Sequence, residues 1–254
     1  MKNLSKRQIV TIIVTLVTIV LNILANALPF NGKGTGEISD RFQILFVPAG
    51  YVFAIWFFIY LGLIAFTIFQ ALPAQRDSKL LDRIAPAYWI ANTANVVWLF
   101  LWHWEYFPLT LVVMLVILAS LIALYRQFGK AGRKLTRTEK SFVEAPFGIY
   151  LGWISVATIA NATQVLYYSG WNGAKISPVF WTVIMLTTAT ILGILMLARE
   201  RAFDYAAVLV WAFIGIANKQ AGIPTVVYAA WTASGVIILA GLITFIQQRR
   251  AKIS

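Results

Sequence analysis

The sequence predicts an all-α fold, a polytopic membrane helix bundle with eight transmembrane helices, and three observations predict it. Eight strongly apolar stretches follow one another, at 9–28, 48–72, 84–104, 107–125, 146–168, 178–197, 202–218 and 224–246. Most reach the roughly 20 residues that cross about 30 Å of hydrocarbon at about 1.5 Å rise per residue. The runs are continuous rather than alternating with period two, and lipid leaves a backbone only helix or closed barrel, so they read as helices. Lys and Arg fall in alternate gaps, 17 on one side of the membrane and 4 on the other. The positive-inside rule then puts both termini in the cytoplasm, in a multi-pass protein of a bacterial inner membrane.

Taken in order, the first stretch follows Lys2, Lys6 and Arg7 and closes at Asn26-Ala27-Leu28-Pro29. It could mimic a signal peptide, but no soluble domain follows it, so it reads as a retained helix. The second opens at Pro48, and a very short connection joins the third to the fourth. After the fourth comes the largest basic cluster, Arg126, Lys130, Arg133, Lys134, Arg137 and Lys140, expected to contact anionic lipid headgroups. Glu139 and Glu144 border the fifth stretch, and the seventh, 202–218, is short and blurred by Asp204 and Lys219. Lys219 stands too close to the Gly222-Ile223-Pro224 break for a mid-membrane Schiff base and reads as a snorkelling side chain.

The formal charge of +12 could suggest a nucleic-acid partner. Its placement around apolar spans assigns it to the membrane surface, so membrane lipid is the expected partner and nucleic acid is not. The absence of cysteine excludes disulfides, thiolate metal sites and a cysteine nucleophile. No nucleotide-phosphate loop, zinc-helix motif or nucleophile elbow occurs, and no acidic residue lies midway through a confident span. A binding protein is therefore favoured over an enzyme. The only histidine, His103, sits beside Trp102 and Trp104 and reads as an interfacial residue in preference to a haem ligand.

Aromatic side chains fall into two groups. Trp102, Trp104, Tyr106, Tyr167, Tyr168 and Trp171 sit near helix ends, as interface anchors do. Phe53, Trp56 and Tyr60 lie deeper on one stripe of the second helix, with Trp98 and Trp153 inside the third and fifth. Amides accompany them: Asn22 with Asn26, Asn92 with Asn95, and Asn161 with Gln164, each pair on one helix face. Such faces should point inward. Interhelical bonding, at about 0.6 to 2 kcal/mol per bond, and ligand orientation in an aromatic cavity both remain open readings.

Three segments resemble a known family. Pro48-Ala49-Gly50-Tyr51-Val52-Phe53-Ala54-Ile55-Trp56 with Tyr60 resembles the Pro-Pro-x-Trp-Val-Phe-x-x-Val-Trp-x-x-Leu-Tyr signature of the TspO family, the tryptophan-rich sensory or translocator proteins. Asn95-Val96-Val97-Trp98 is similar to its third-helix Asn-x-x-Trp, and Tyr150 through Trp153 and Ala157 to Asn161 is similar to its fifth-helix motif. Tyr51, Ala49, Leu99 and Ile149 depart from the pattern, so the ligand can differ from the family's.

The resemblance implies an aromatic pocket for a tetrapyrrole such as a porphyrin or haem. The ligand-binding candidates carried over by motif are Val52, Phe53, Trp56, Tyr60, Asn95, Trp98, Trp153, Ala157 and Asn161. It implies no required cofactor, a bound hydrophobic small molecule, a role in sensing or stress response, and a homodimer. The domain reading is a five-helix unit at 1–170 followed by three helices at 171–254. Echoes such as Leu24-Ala25-Asn26-Ala27 with Ile159-Ala160-Asn161-Ala162 also suggest a parallel duplication, 1–130 and 144–254. That duplication supports an alternative, a small-molecule transporter built from two four-helix repeats. A structural subunit is a third reading.

Overall fold

Eight long helices stand where the apolar stretches predict them, in a computed structural model that describes residues 4–28, 30–130 and 132–250. Lys2 and Pro29 lie outside the described residues. The first five helices are α1 (Lys6–Ala27), the short α2 (Thr35–Asp40), α3 (Ile55–Ala71), α4 (Lys79–His103) and α5 (Phe107–Gly129). A capped turn α6 (Arg137–Glu139) and a π turn (Lys140–Glu144) lead into α7 (Ala145–Tyr168), followed by α8 (Pro178–Glu200), α9 (Phe203–Lys219) and α10 (Pro224–Arg250). No strand occurs among the described residues. Seven segments are long and apolar enough to cross a membrane, one of them, Gly50–Ala71, by joining a 3-10 turn to α3. The remaining long helix, α9, has 17 residues and reaches only about 26 Å. The chain is a multi-pass membrane protein.

It divides into two compact units, with the boundary inside α7. Unit one comprises the described residues up to Phe42 together with Trp56–Ile154, and unit two comprises Gln43–Ile55 with the residues from Ser155 onward.

In unit one, α1 is an inside-out helix. Gln8, Thr11, Thr15, Thr18 and Asn22, at alternating spacings of three and four, are buried, whereas Ile9, Ile13, Leu16, Val20 and Ile23 are exposed. In lipid, apolar surface needs no protein cover, while hydroxyls and amides need partners, so the polar stripe faces inward. Its partners lie on α4 and α3. Trp89 Nε1 donates to Thr11 Oγ1 at 2.9 Å, and Thr15 Oγ1 meets the Tyr88 hydroxyl at 2.5 Å and Thr67 Oγ1 at 2.9 Å. Asn22 Nδ2 donates to Asn95 Oδ1 at 2.8 Å. From Thr15 with Tyr88 through Thr18 with Asn92 to Asn22 with Asn95 the partner numbers rise together, so α1 and α4 are parallel.

At the start of α1, Ser5 forms a capping box with Gln8. Arg7, next to it, ties α1 to the chain after α3: it donates to Gln70 Oε1 at 3.2 Å and to the carbonyls of Gln75 and Arg76 at 2.6 and 3.1 Å. Its Nε stands 2.8 Å from Asp82 Oδ1. Asn26, expected inward with Asn22, is exposed and donates only to the Asn22 carbonyl, because one more turn carries it past the end of the packed face.

The stretch expected at 48–72 is one candidate span, Gly50–Ala71, but its first turn is not α-helical. The chain enters through an extended Ala49 and a 3-10 turn, Gly50–Ala54, before α3 begins at Ile55. Irregular backbone at membrane depth is stable only where protein satisfies its polar groups, and α9 does so. Ala49 N–H donates to the Gly215 carbonyl, Trp211 Nε1 to the Val52 carbonyl and Gln220 Nε2 to the Leu45 carbonyl, each at 3.1 Å. Asn218 Nδ2 donates to the Tyr51 hydroxyl at 2.8 Å, and Ile44, Phe46, Val47 and Val52 are buried.

Candidate functional site

Five of the nine motif residues belong to unit one. Trp56 and Tyr60, one turn apart on α3, stack with centroids 5.4 Å apart and planes 29° from parallel. Trp56 also meets Tyr150 edge to face at 6.0 Å. Tyr150 is fully buried, and Trp153, three residues on along α7, is 3 % exposed. Asn95 on α4 is 2 % exposed, its oxygen fixed by Asn22. Trp98, one turn further, is half-buried and stacks on Trp102 at 4.9 Å and 23°. Beside these rings Phe66, Tyr88 and Phe147 form a triangle with centroids 4.8 to 5.6 Å apart. Gly62 lets α7 approach, since an added Cβ would stand 3.0 Å from Pro146 Cβ.

The arrangement offers flat ring faces, hydroxyls and amides and no formal charge, which suits recognition of an aromatic molecule rather than acid–base or nucleophilic chemistry. The Asn22–Asn95 bond fixes which face of Asn95 is presented. A double-mutant cycle of Asn22→Ala and Asn95→Ala, read by unfolding in detergent, should give a coupling of about 0.6 to 2 kcal/mol. Strict additivity would show that the bond fixes nothing.

The other four residues belong to unit two. Val52 is fully buried against Gly215, and Phe53 and Ala157 are half-buried. Asn161 and Gln164, the pair expected inward on α7, are each 3 % exposed, and the Gln164 Nε2 group is buried without a hydrogen-bond partner.

Tyr150 and Trp102 were missed as site residues by the sequence reading. The spacing of Trp102 from Trp98, one helical turn, was the available signal. Instead of anchoring at an interface, Trp102 is buried and its Nε1 donates to the Thr35 carbonyl at 3.1 Å. His103, the last residue of α4, is likewise buried. Its Nδ1 donates to the Phe30 carbonyl at 3.1 Å, and Nε2 lies 3.0 Å from Thr35 Oγ1, which donates to it in the neutral ring. Axial ligation of iron would require one of these bonds to break. Among the described residues no group of three or more His, Asp or Glu side chains could hold a metal ion.

The same end of α4 carries an ionic clasp. Glu105 follows the helix with a left-handed backbone, φ 63°, a conformation unfavourable for a residue with a Cβ. Its carboxylate pairs with Lys33 and, at 2.9 Å, with Arg41. Hydrogen bonds from Lys33 first, then Arg41, hold its pKa below the usual carboxylate value. A depressed folded pKa stabilises the fold above the unfolded value, about 4.3, and this contribution is lost as pH falls through the folded value. Unfolding temperatures of wild type and Glu105→Gln should therefore differ near neutrality and converge under acid. A constant difference down to pH 3 would contradict the assignment.

No curated protein and no solved structure matches the chain. The model of the TSPO-like protein family matches residues 8–243, which reaches from the first turn of α1 into α10. With the motif residues placed in the helices that the match covers, the chain belongs to the TSPO-like protein family.

Proposed function

We propose that this membrane protein binds a flat, hydrophobic, tetrapyrrole-like ligand, a porphyrin or haem, and acts as a sensory or regulatory protein. The observation that supports the reading is the burial of three residues of unit one, Trp153, Tyr150 and Asn95, with a Trp56 that is already stacked on Tyr60 and meets Tyr150. Apolar side chains could have filled those positions at lower desolvation cost, so buried amides and hydroxyls next to indoles suit orientation of a guest. In this reading Trp56, Trp98 and Trp153 offer ring faces, each contributing about 0.5 to 1.5 kcal/mol beyond area burial. Asn95 supplies the directed polar contact, and Tyr60 backs Trp56. Val52, Phe53, Ala157 and Asn161 complete the family motif set.

The accompanying proposals are a bacterial inner-membrane location with both termini cytoplasmic, from the 17 to 4 distribution of cations, and a homodimer. Absorption spectroscopy and mass spectrometry of the detergent-extracted full chain test the reading. The expected result is a co-purifying tetrapyrrole with a Soret band, bound without flux. Lipid as the sole bound species would overturn the ligand assignment, and ligand flux across protein-containing liposomes would replace the sensor with a transporter.

A further inference from the structure

Helices α4 and α5 pack antiparallel, and their outward faces form a seam running from an apolar groove to a cluster of cations. On α4, Arg83, Pro86, Ile90, Thr93 and Val97 recur at alternating spacings of three and four, and all are exposed. On α5, Val113, Val116, Ser120, Ala123, Gln127 and Lys130 recur in the same way, each exposed or half-exposed. The two stripes converge at one end, where Arg83 Nη1 donates to the Lys130 carbonyl at 3.0 Å. Towards the other end Trp89, Ile90, Thr93 and Val97 face Val113 and Val116 across a groove of about 400 Å³.

Charge and depth together identify the occupant. Arg133 in the following loop is neutralised by a bidentate pair with Glu139, at 2.5 and 2.7 Å. Arg83, Arg126 and Lys130 make no ion pair among the described residues. Asp82, the carboxylate next to Arg83, is engaged by Arg7. Five N–H donors belong to a guanidinium, and Arg83 uses one on the Lys130 carbonyl. The groove begins at Ile90 and ends at Val97, about 10 and 20 Å along the helix axis from Arg83. With the guanidinium at headgroup level, about 5 Å outside a leaflet hydrocarbon about 15 Å thick, that is the depth an acyl chain occupies.

We propose that the α4–α5 seam binds one anionic phospholipid, its phosphate held by Arg83 and Lys130 and one acyl chain lying along Trp89, Thr93 and Val116. The site shares no residue with the tetrapyrrole-binding set and stands or falls separately from it. Basic positions at the mouth of an interhelical crevice bind lipid phosphates in this way, and an acyl chain in the groove distinguishes a bound lipid from diffuse attraction to the leaflet.

Native mass spectrometry of the full chain, incubated with equal amounts of phosphatidylglycerol and phosphatidylcholine, tests the proposal. The wild type should retain one phosphatidylglycerol in preference to phosphatidylcholine. Arg83→Gln with Lys130→Gln should lower that retention about 30-fold, while Lys134→Gln with Lys140→Gln, an equal loss of charge in the loop, should leave it unchanged. Thr93→Trp should lower it without altering charge by filling the groove, and it decides the matter if the seam double variant fails to fold. Equal losses in the two double variants, unchanged retention in Thr93→Trp, or equal retention of the two lipids would each overturn the site.

Discussion

Gly215→Ala should destabilise the protein by about 3 kcal/mol, at the upper end of what one added methyl does in a packed interior. The methyl would overlap Val52 Cγ2 and stand 3.0 Å from Pro48 Cβ. Neither neighbour can yield easily, because Val52 is β-branched and fully buried, and its carbonyl is held by Trp211. Pro48 leads into the Ala49 N–H bond to the Gly215 carbonyl itself. Moving the segment away would leave the Val52 carbonyl, inside the candidate span Gly50–Ala71, without its donor, where water cannot replace it. Removing the Val52 methyls should therefore restore room, and Gly215→Ala with Val52→Ala should recover part of the loss. Thermal unfolding in detergent, followed by circular dichroism, reads both variants. An unaltered Gly215→Ala, or a double variant no better than the single, would show that the segment does not rest on α9 as described.

This contact also marks where sequence reasoning runs out. The eight long helices are legible because each is a continuous apolar run, and the loss of alternation excludes strand. The start of the second run is not legible in the same way: Val47, Val52 and Ile55 look like the opening of a span. What makes 43–55 irregular is a partner more than 150 residues later, Gly215 with the side-chain donors Trp211, Asn218 and Gln220, and no local pattern announces that pairing. The inward face of α1 is half legible. Asn22 signals it, but the threonines that continue it look neutral in composition until Trp89 and Tyr88 supply their partners. Family motifs identify Trp56, Asn95, Trp98 and Trp153 without identifying what encloses them. Tyr150 and Trp102 become candidates only with the geometry, and His103 is buried because the Phe30–Thr35 segment covers it.

The second large effect concerns Trp153, the most deeply enclosed of the three candidate indoles. A flat ligand laid against its ring gains contact area and quadrupole complementarity that no aliphatic side chain reproduces. Trp153→Ala should weaken binding at least about tenfold, or about 1.4 kcal/mol. Because so buried an indole also supports the fold, truncation is expected to lower stability by about 3 to 5 kcal/mol. Trp153→Phe keeps an aromatic face with less volume loss and should retain most of the affinity. Trp171, exposed in the connection before α8, provides the matched control.

Titration of the purified full-length protein with protoporphyrin, read by quenching of tryptophan fluorescence and by the ligand's own absorption, tests the enclosed site most directly. Saturable binding that weakens at least about tenfold in Trp153→Ala, survives in Trp153→Phe and is unaltered in Trp171→Ala is the predicted result. Equal affinities in Trp153→Ala and Trp171→Ala, in folded samples, would contradict it.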